Sequence, residues 1–292
     1  MRIAFFGLQF YEKYLSTYQL MIDKLEKVKC QLLFNESFYK MASSKVKFKS
    51  DVKVYSSPND IIEQPDAYIS VGGDGTFLDA ITFVGDSGTP ILGINMGRLG
   101  FLSSVSHIDA EKAIDALINN NYISEKRAML TLHTDNNLFG KFNYALNEIT
   151  IQKKDHLSMI VIHVYINDLF LNSYWSDGLL ISTPTGSTAY ALSVGGPIVV
   201  PGSENFIISP IAPHNLTVRP IVIPNSSTIK LKVQGRSSSF LVGLDSRFET
   251  IDSSIELVVK PSDFSINLIQ IGGRSFFDTI RDKLNWGLDI RN

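Results

Sequence analysis

One segment, Asp66 to Val84, constrains the fold more than any other part of this chain. Asp66–Val71 is a run of β-formers, DAYISV, that stops at Gly72-Gly73-Asp74-Gly75-Thr76, after which Phe77, Leu78, Ile81 and Val84 recur with helical period. A buried strand, a glycine-rich turn and a helix in that order make half of a βαβ unit. The same alternation surrounds it. Arg2–Gly7 reads as a strand leading to a helix with Tyr14, Tyr18, Met21, Ile22 and Leu25 on one face, and Gln31–Phe34, Asp51–Tyr55 and Pro90–Met96 read as further strands. This predicts an α/β domain over residues 1–103, a Rossmann-like open parallel sheet covered on both faces.

The pattern changes near residue 104. One helix is predicted from an Asp109 cap through Ala110, Ala113, Ile114, Leu117 and Ile118 to the stop at Asn119-Asn120-Asn121. Strands then follow one another: Met129–His133, Tyr144–Gln152, Met159–Ile166, Leu179–Ser182, Val218–Ile223, Thr228–Val233, Phe240–Leu244, Ile255–Val259 and Phe264–Ile269. Turn signals such as Asn167-Asp168 and Pro224-Asn225 separate them, so residues 104–274 are expected to form an antiparallel, sandwich-like β-rich domain. Pro210 to Pro213 reads as a turn. From Ser275 a capping-box spacing to Asp278 and an apolar stripe at Phe276, Phe277, Ile280 and Leu284 predict a closing helix, 275–292, that packs back on the first domain.

A chain of 292 residues accommodates two such domains, and its composition excludes several classes of function. The 27 basic and 29 acidic side chains leave a net charge of −2, so no global positive field holds nucleic acid or an anionic membrane. Cys30 is the one cysteine, which excludes an intramolecular disulfide framework and a zinc site of several thiolates. His107, His133, His156, His163 and His214 show no H-E-x-x-H-like spacing, and no metal ligands are assigned. No apolar run reaches the roughly 18 residues that span a bilayer, and the start Met1–Gly7 is too soon broken for a signal peptide. The expectation is a soluble cytoplasmic protein.

Three constellations carry chemistry. In the turn at 72–76 the glycines let a ligand approach the backbone N–H groups, and the following helix presents its positive N-terminus, which together suit a phosphate. Asp74 would repel that phosphate unless it takes a proton from an attacking hydroxyl or holds a metal; the alternative is a tight βα turn in which Asp74 caps the helix. Neither G-x-x-x-x-G-K-[ST] nor G-x-G-x-x-G is present there, which disfavours a Walker-type NTPase and an ordinary dehydrogenase. The second constellation is Asp177 to Ser193, DGLLISTPTGSTAYALS, whose hydroxyls at 183, 185, 187 and 188 suit sugar hydroxyls and phosphates and whose Tyr190 offers a ring for stacking. A Ser/Thr loop capping a helix is its other reading. The third is Asn147-Glu148 inside an apolar run: adjacent residues of a strand face opposite sides, so one of them is buried and needs a partner such as a ribose diol, unless the strand is an edge with both groups wet. Leu244-Asp245-Ser246-Arg247 follows a strand and is either a plain turn or a loop that reaches a ligand or a neighbouring subunit.

Taken in order, GGDGT at 72–76, NE at 147–148 and DGLLISTPTGSTAY at 177–190 closely resemble the NAD kinase family. The block GRLGFL at Gly97–Leu102 and the terminal run through Phe277, Lys283, Leu284 and Trp286 extend that resemblance over nearly the whole chain. Diacylglycerol, sphingosine and 6-phosphofructo-kinases use loops like GGDGT, and it is the loop joined to the block at 177–190 at this spacing that is specific. The resemblance implies ATP-dependent phosphorylation of the adenosine-ribose 2′-hydroxyl of NAD, with Mg²⁺ accompanying ATP. It implies Asp74 as general base, with Gly72, Gly73, Gly75 and Thr76 in the phosphate loop. It implies dinucleotide contacts from Asp74, Gly75, Asn147, Glu148, Asp177, Thr185, Thr188, Ala189, Tyr190, Ala191, Leu192 and Ser193. It further implies a homodimer or homotetramer in which a second subunit completes the site. Arg98 is a further candidate against phosphate, and Asp245 a further candidate at the site. Trp175 and Arg247 stand where the family usually carries a basic residue and a glutamine. A catalytically silent NAD(P)-binding sensor and a lipid or sugar kinase are the competing readings; the intact Asp74 counts against the sensor.

Overall fold

The computed structural model describes residues 1–155, 159–236, 239–273 and 275–287, and divides into two compact units, Met1–Lys126 with Ile266–Asn292, and Arg127–Ser265. In the first unit, parallel strands are laid in the order Val52–Tyr55, Gln31–Asn35, Arg2–Phe6, Ala67–Val71, Ile91–Asn95 and Ile266–Gln270, with Ile123–Arg127 at the edge. The central strands Ala67–Val71 and Ile91–Asn95 are buried at every position, as a sheet covered on both faces requires. The helix Leu15–Lys27 buries Tyr18, Met21, Ile22 and Leu25 in that core, whereas the predicted Tyr14 lies in a preceding 3₁₀ turn and is partly buried.

The order of these strands reverses direction next to Arg2–Phe6, whose neighbours are the second strand in sequence on one side and Ala67–Val71 on the other. A crevice opens at the carboxyl ends of strands where a doubly wound sheet reverses in this way, and ligands bind there. Gly72–Thr76 leaves Ala67–Val71 at that end.

The unit boundaries differ from those expected. The helix Ala110–Ile118 packs Ala113, Ile114 and Leu117 into the first core, and the edge strand Ile123–Arg127 belongs to the first sheet. Ile266–Gln270, expected among the antiparallel strands, instead adds in parallel to Ile91–Asn95 through Leu268 and Ile91. An apolar alternation establishes a strand but not the sheet that receives it. Asp109 stands at the N-cap without a side-chain cap bond, whereas Ser275 caps Phe276–Leu284 through the reciprocal box with Asp278.

The second unit consists of two six-stranded antiparallel sheets. One runs Ile221–Pro224, Asn205–Ile211, Gly178–Ser182, Glu148–Lys153, Phe240–Leu244, Arg247–Ile251; the other runs Leu169–Ser176, Ile160–Ile166, Ile229–Gly235, Leu257–Pro261, Leu130–His133, Tyr144–Ala145. Their inner faces share one core that includes Ile149, Leu179, Phe206 and Val242 from the first sheet and Leu132, Ile162 and Leu231 from the second. Pro210 does not turn the chain: it pairs with Leu179 inside the strand Asn205–Ile211. No helix among the described residues is long and apolar enough to cross a membrane.

Candidate functional site

Asp74 occupies the first turn of the helix Asp74–Val84, whose N-cap is Gly73, so its carboxylate is not the cap. It turns to the segment after Ile91–Asn95 and accepts the N–H groups of Phe101 on Oδ2 at 2.8 Å and of Leu102 and Ser103 on Oδ1 at 3.1 and 2.9 Å. Three N–H donors fill three of the about four acceptor positions of a carboxylate, leaving one on Oδ2. Gly100 is required by this contact, because an ideal Cβ there would stand 1.8 Å from Asp74 Oδ1. Gly72 lies against Thr76, 2.4 Å from an ideal Cβ to Oγ1, while Gly73 and Gly75 are exposed and nothing lies within 4 Å of the positions their side chains would take. The loop thus keeps an open surface of backbone where a phosphate can approach.

In the second unit the expected single strand Tyr144–Gln152 is two. Tyr144–Ala145 pairs in one sheet, Glu148–Lys153 in the other, and the chain crosses between them at Leu146-Asn147. That crossing explains the polar pair in an apolar run, and it disposes of the edge-strand reading, because Glu148–Lys153 has a neighbour on each side. The loop after Gly178–Ser182 folds onto the crossing: Thr183 donates its N–H to the Asn147 carbonyl at 2.9 Å and its hydroxyl to the Leu146 carbonyl at 2.6 Å. Gly186 comes so close that an ideal Cβ would lie 2.1 Å from the Asn147 carbonyl oxygen. From the other side, Asp245 accepts the N–H groups of Leu146 at 2.7 Å, Asn147 at 2.9 Å and Glu148 at 3.1 Å. Asp245 itself sits at φ 53°, a left-handed conformation that Asp tolerates.

The result is a clamped Asn147-Glu148 with one group left over. Oε2 of Glu148 is buried and has no hydrogen-bond partner. Burial, with the Asp245 charge adding to it and the Tyr190 N–H opposing, pushes the Glu148 carboxyl up to about 8. Burial also raises the Asp245 carboxyl, against the pull of its three N–H bonds and of Arg247. A buried carboxyl oxygen without a partner is costly unless a ligand meets it.

The hydroxyls of 183–188 are mostly used locally. Ser187 bonds the Pro184 carbonyl and the backbone of Val199, and Thr188 donates to the Thr185 carbonyl at 3.2 Å, so these hydroxyls and that of Thr183 are spent on nearby backbone, although neither short helix carries a side-chain cap bond. Thr185 is buried beside them, and the short helix Tyr190–Ser193 follows, preceded by Ala189, with Ala191 buried, Leu192 half-buried and the ring of Tyr190 37% exposed. Asp177 is elsewhere: it precedes Gly178–Ser182, five residues from the Ser182 that pairs with Glu148, hence about 17 Å away along the ladder, and it forms an ion pair with Lys153 at 2.6 Å. Trp175 is 54% exposed on the edge strand Leu169–Ser176. Arg247 donates to the carbonyls of Phe142 and Tyr144 and covers the Tyr144 ring, so its guanidinium braces the crossing. Arg98 is exposed after the strand Ile91–Asn95. His156 lies outside the described residues, and among the described residues no three His, Cys, Asp or Glu side chains gather to hold a metal.

Residues 12–122 match the ATP-NAD kinase N-terminal domain and residues 146–271 the ATP-NAD kinase C-terminal domain. The chain is 45% identical to the NAD kinase of Cytophaga hutchinsonii and 43% identical to that of Flavobacterium johnsoniae, covering 100% of both chains in each case. It shares its fold with a yeast NADH kinase solved with NADH (TM-score 0.89, 23% identity, 100% of this chain and 89% of that one). It also shares it with an NAD kinase from Archaeoglobus fulgidus solved with ATP (TM-score 0.75, 23% identity, 98% and 99%). Both domains matched in order, at this identity over the full length, mean that the chain belongs to the NAD kinase family.

Proposed function

We propose that this protein transfers the γ-phosphoryl group of ATP to the 2′-hydroxyl of the adenosine ribose of NAD, giving NADP. The observation that carries this reading is the buried Oε2 of Glu148, which has no hydrogen-bond partner, beside Asn147, in a polar pair clamped where the chain crosses between the two sheets. Asn147 and Glu148 hold ribose hydroxyls. Thr185 and the segment Thr188–Ser193 line the dinucleotide, with the exposed ring of Tyr190 available for stacking. Asp74 is the general base: its free acceptor position on Oδ2 takes the hydroxyl proton as the oxygen attacks the γ-phosphorus and the bond to ADP breaks. The open faces of Gly73 and Gly75 and the N-terminus of Asp74–Val84 receive the phosphoryl oxygens, with Gly72 and Thr76 forming the base of the turn.

Mg²⁺ accompanies ATP in this scheme. Asp74 already takes three N–H bonds, and no cluster of ligands stands ready among the described residues, so the residues present suit an ion kept mainly by phosphate oxygens and water. When bound it neutralises phosphate charge.

Asp177, remote from Glu148 within one chain, is assigned to a part of the site that a second subunit completes. The edge strand Leu169–Ser176 that leads to it exposes Leu169 (75%), Phe170 (59%) and Trp175 (54%), an unpaired apolar edge of the kind that association covers. A homodimer or homotetramer is therefore the working form, and a cytoplasmic location suits a substrate pool of NAD and ATP. The test is formation of NADP from NAD and MgATP by the purified protein. Binding of NAD without turnover identifies the silent sensor, and transfer to a lipid or sugar with none to NAD identifies the other kinase class.

A further inference from the structure

Before it enters the strand Asn205–Ile211, the chain makes an excursion over residues 188–198 whose two ends meet on one side chain, that of Ser187. The Ser187 Oγ accepts the Val199 N–H at 3.0 Å, and it stands 2.7 Å from the Pro184 carbonyl and 3.1 Å from the Val199 carbonyl. Its single proton thus has an acceptor on each side of the neck. Ser187 is completely buried and Val199 half-buried. A buried hydroxyl that both donates and accepts fixes direction as well as distance.

The other ties of the excursion lie further along it and do less to orient it. The Gly196 N–H is donated to the Ala191 carbonyl at 2.8 Å and closes the turn after the short helix Tyr190–Ser193. Ala191 is buried against Leu180 and Ile211, with Val194 packed beside it. Apolar contacts of this kind are non-directional, so they keep the excursion on the sheet without setting its register. The hydroxyl at the neck sets it. The first half of the excursion is the stretch 188–193, and Tyr190, three residues beyond Ser187, turns its N–H to the Glu148 carboxyl. A shift at the neck therefore moves the Tyr190 ring and its N–H together relative to Glu148. Ser187 is too deeply buried, and its hydroxyl too fully engaged, to meet a ligand itself.

We propose that Ser187 is a positioning residue: its hydroxyl latches the excursion 188–198 shut and so sets where 188–193 meets the dinucleotide. The inference rests on the reading of 188–193 as dinucleotide lining, whereas the latch is testable without it. Ser187→Ala and Ser187→Thr are compared with wild type by hydrogen exchange on peptides spanning 188–199, by calorimetric titration of NAD, and by kcat and the KM values for NAD and ATP. Urea unfolding checks the fold. In Ser187→Ala the Val199 N–H loses its acceptor, so exchange over 188–199 in the ligand-free protein should quicken about tenfold. NAD affinity should weaken, and the NAD KM rise, about threefold to tenfold, while kcat and the ATP KM stay within about twofold. Ser187→Thr keeps the hydroxyl and should recover most of both losses. Unchanged exchange in Ser187→Ala overturns the latch. Faster exchange with unchanged NAD affinity overturns the positioning role. Wild-type protein that binds no NAD removes the dinucleotide reading and the positioning role with it, and in that case faster exchange in Ser187→Ala shows that the latch itself stands.

Discussion

Asp245 holds the backbone of Glu148 at both ends: its Oδ1 accepts the Glu148 N–H at 3.1 Å, and its own N–H is donated to the Glu148 carbonyl at 3.1 Å. The carboxylate that orients the candidate ribose-binding pair is therefore the same one whose charge raises the Glu148 carboxyl. Asp245 thus acts on both the position of Glu148 and, after burial, its protonation.

Asp245→Asn separates these effects from backbone strain, since Asn tolerates the left-handed φ of 53° as readily as Asp. The amide presents one oxygen and one NH₂ where three N–H groups now find acceptors, so at least one donor at 146–148 is left facing another donor. The expected cost is about 1–3 kcal/mol of stability, read from urea unfolding. The Glu148 carboxyl should titrate lower in the variant, measured by NMR, and NAD affinity should fall. An unshifted Glu148 titration would show that Asp245 does not set its charge.

Glu148→Gln predicts opposite outcomes for stability and binding. A carboxyl raised from 4.5 to about 8 on folding binds its proton more tightly in the folded state. Its contribution is thus complete below pH 4.5 and is lost as pH rises toward 8, at up to about 1.4 kcal/mol per pH unit. Glutamine carries no such proton. The ligand-free variant should match wild type near pH 5 and exceed it at pH 8 in denaturant unfolding, while its NAD KM rises about tenfold to hundredfold. Parallel pH profiles for the two proteins would contradict a Glu148 carboxyl raised by burial.

How far the residues announce this site varies with the range of the interaction. Gly72–Thr76 is recognisable because its constraint is local, Gly72 lying against Thr76 four residues on. Asn147-Glu148 stands out as a polar pair in an apolar run, but the cause, a crossing between two sheets, depends on partners that no local pattern names. Asp245 braces Leu146 from 99 residues away, and its two-residue hairpin looks like any other turn. Asn205–Ile211 is hidden by Pro210, which reads as a breaker. Ile266–Gln270 is visible as a strand, yet alternation is silent about whether it joins a parallel or an antiparallel sheet.

Association should be separable from ligand contact. Phe170→Asp places a charge on the exposed face of the edge strand Leu169–Ser176 and should dissociate the oligomer, seen as a fall in mass by light scattering and a fall in activity at low protein concentration. Asp177→Asn should keep the mass and raise the NAD KM by roughly one to two decades. A fully active wild-type monomer would defeat both expectations.

Asp74→Asn tests the base. A ribose hydroxyl is a poor nucleophile until its proton is taken, and the proton leaves only as the transition state forms, so the loss should fall on kcat more than on KM. A positioned base is worth about 10²–10⁴-fold in rate. The three N–H bonds from Phe101, Leu102 and Ser103 add a second consequence: asparagine retains one good acceptor, so the segment 100–103 loosens and the melting temperature drops modestly. Loosening alone could slow turnover, and the pH profile distinguishes the two causes. If Asp74 removes the proton, the residual rate of the variant climbs with pH as solvent hydroxide takes over, whereas a merely displaced loop lowers the rate by the same factor at every pH. Calorimetric titration should find NAD affinity within about threefold of wild type. A variant that keeps more than about a tenth of the wild-type kcat falls short of the loss expected for a general base and removes Asp74 from that role.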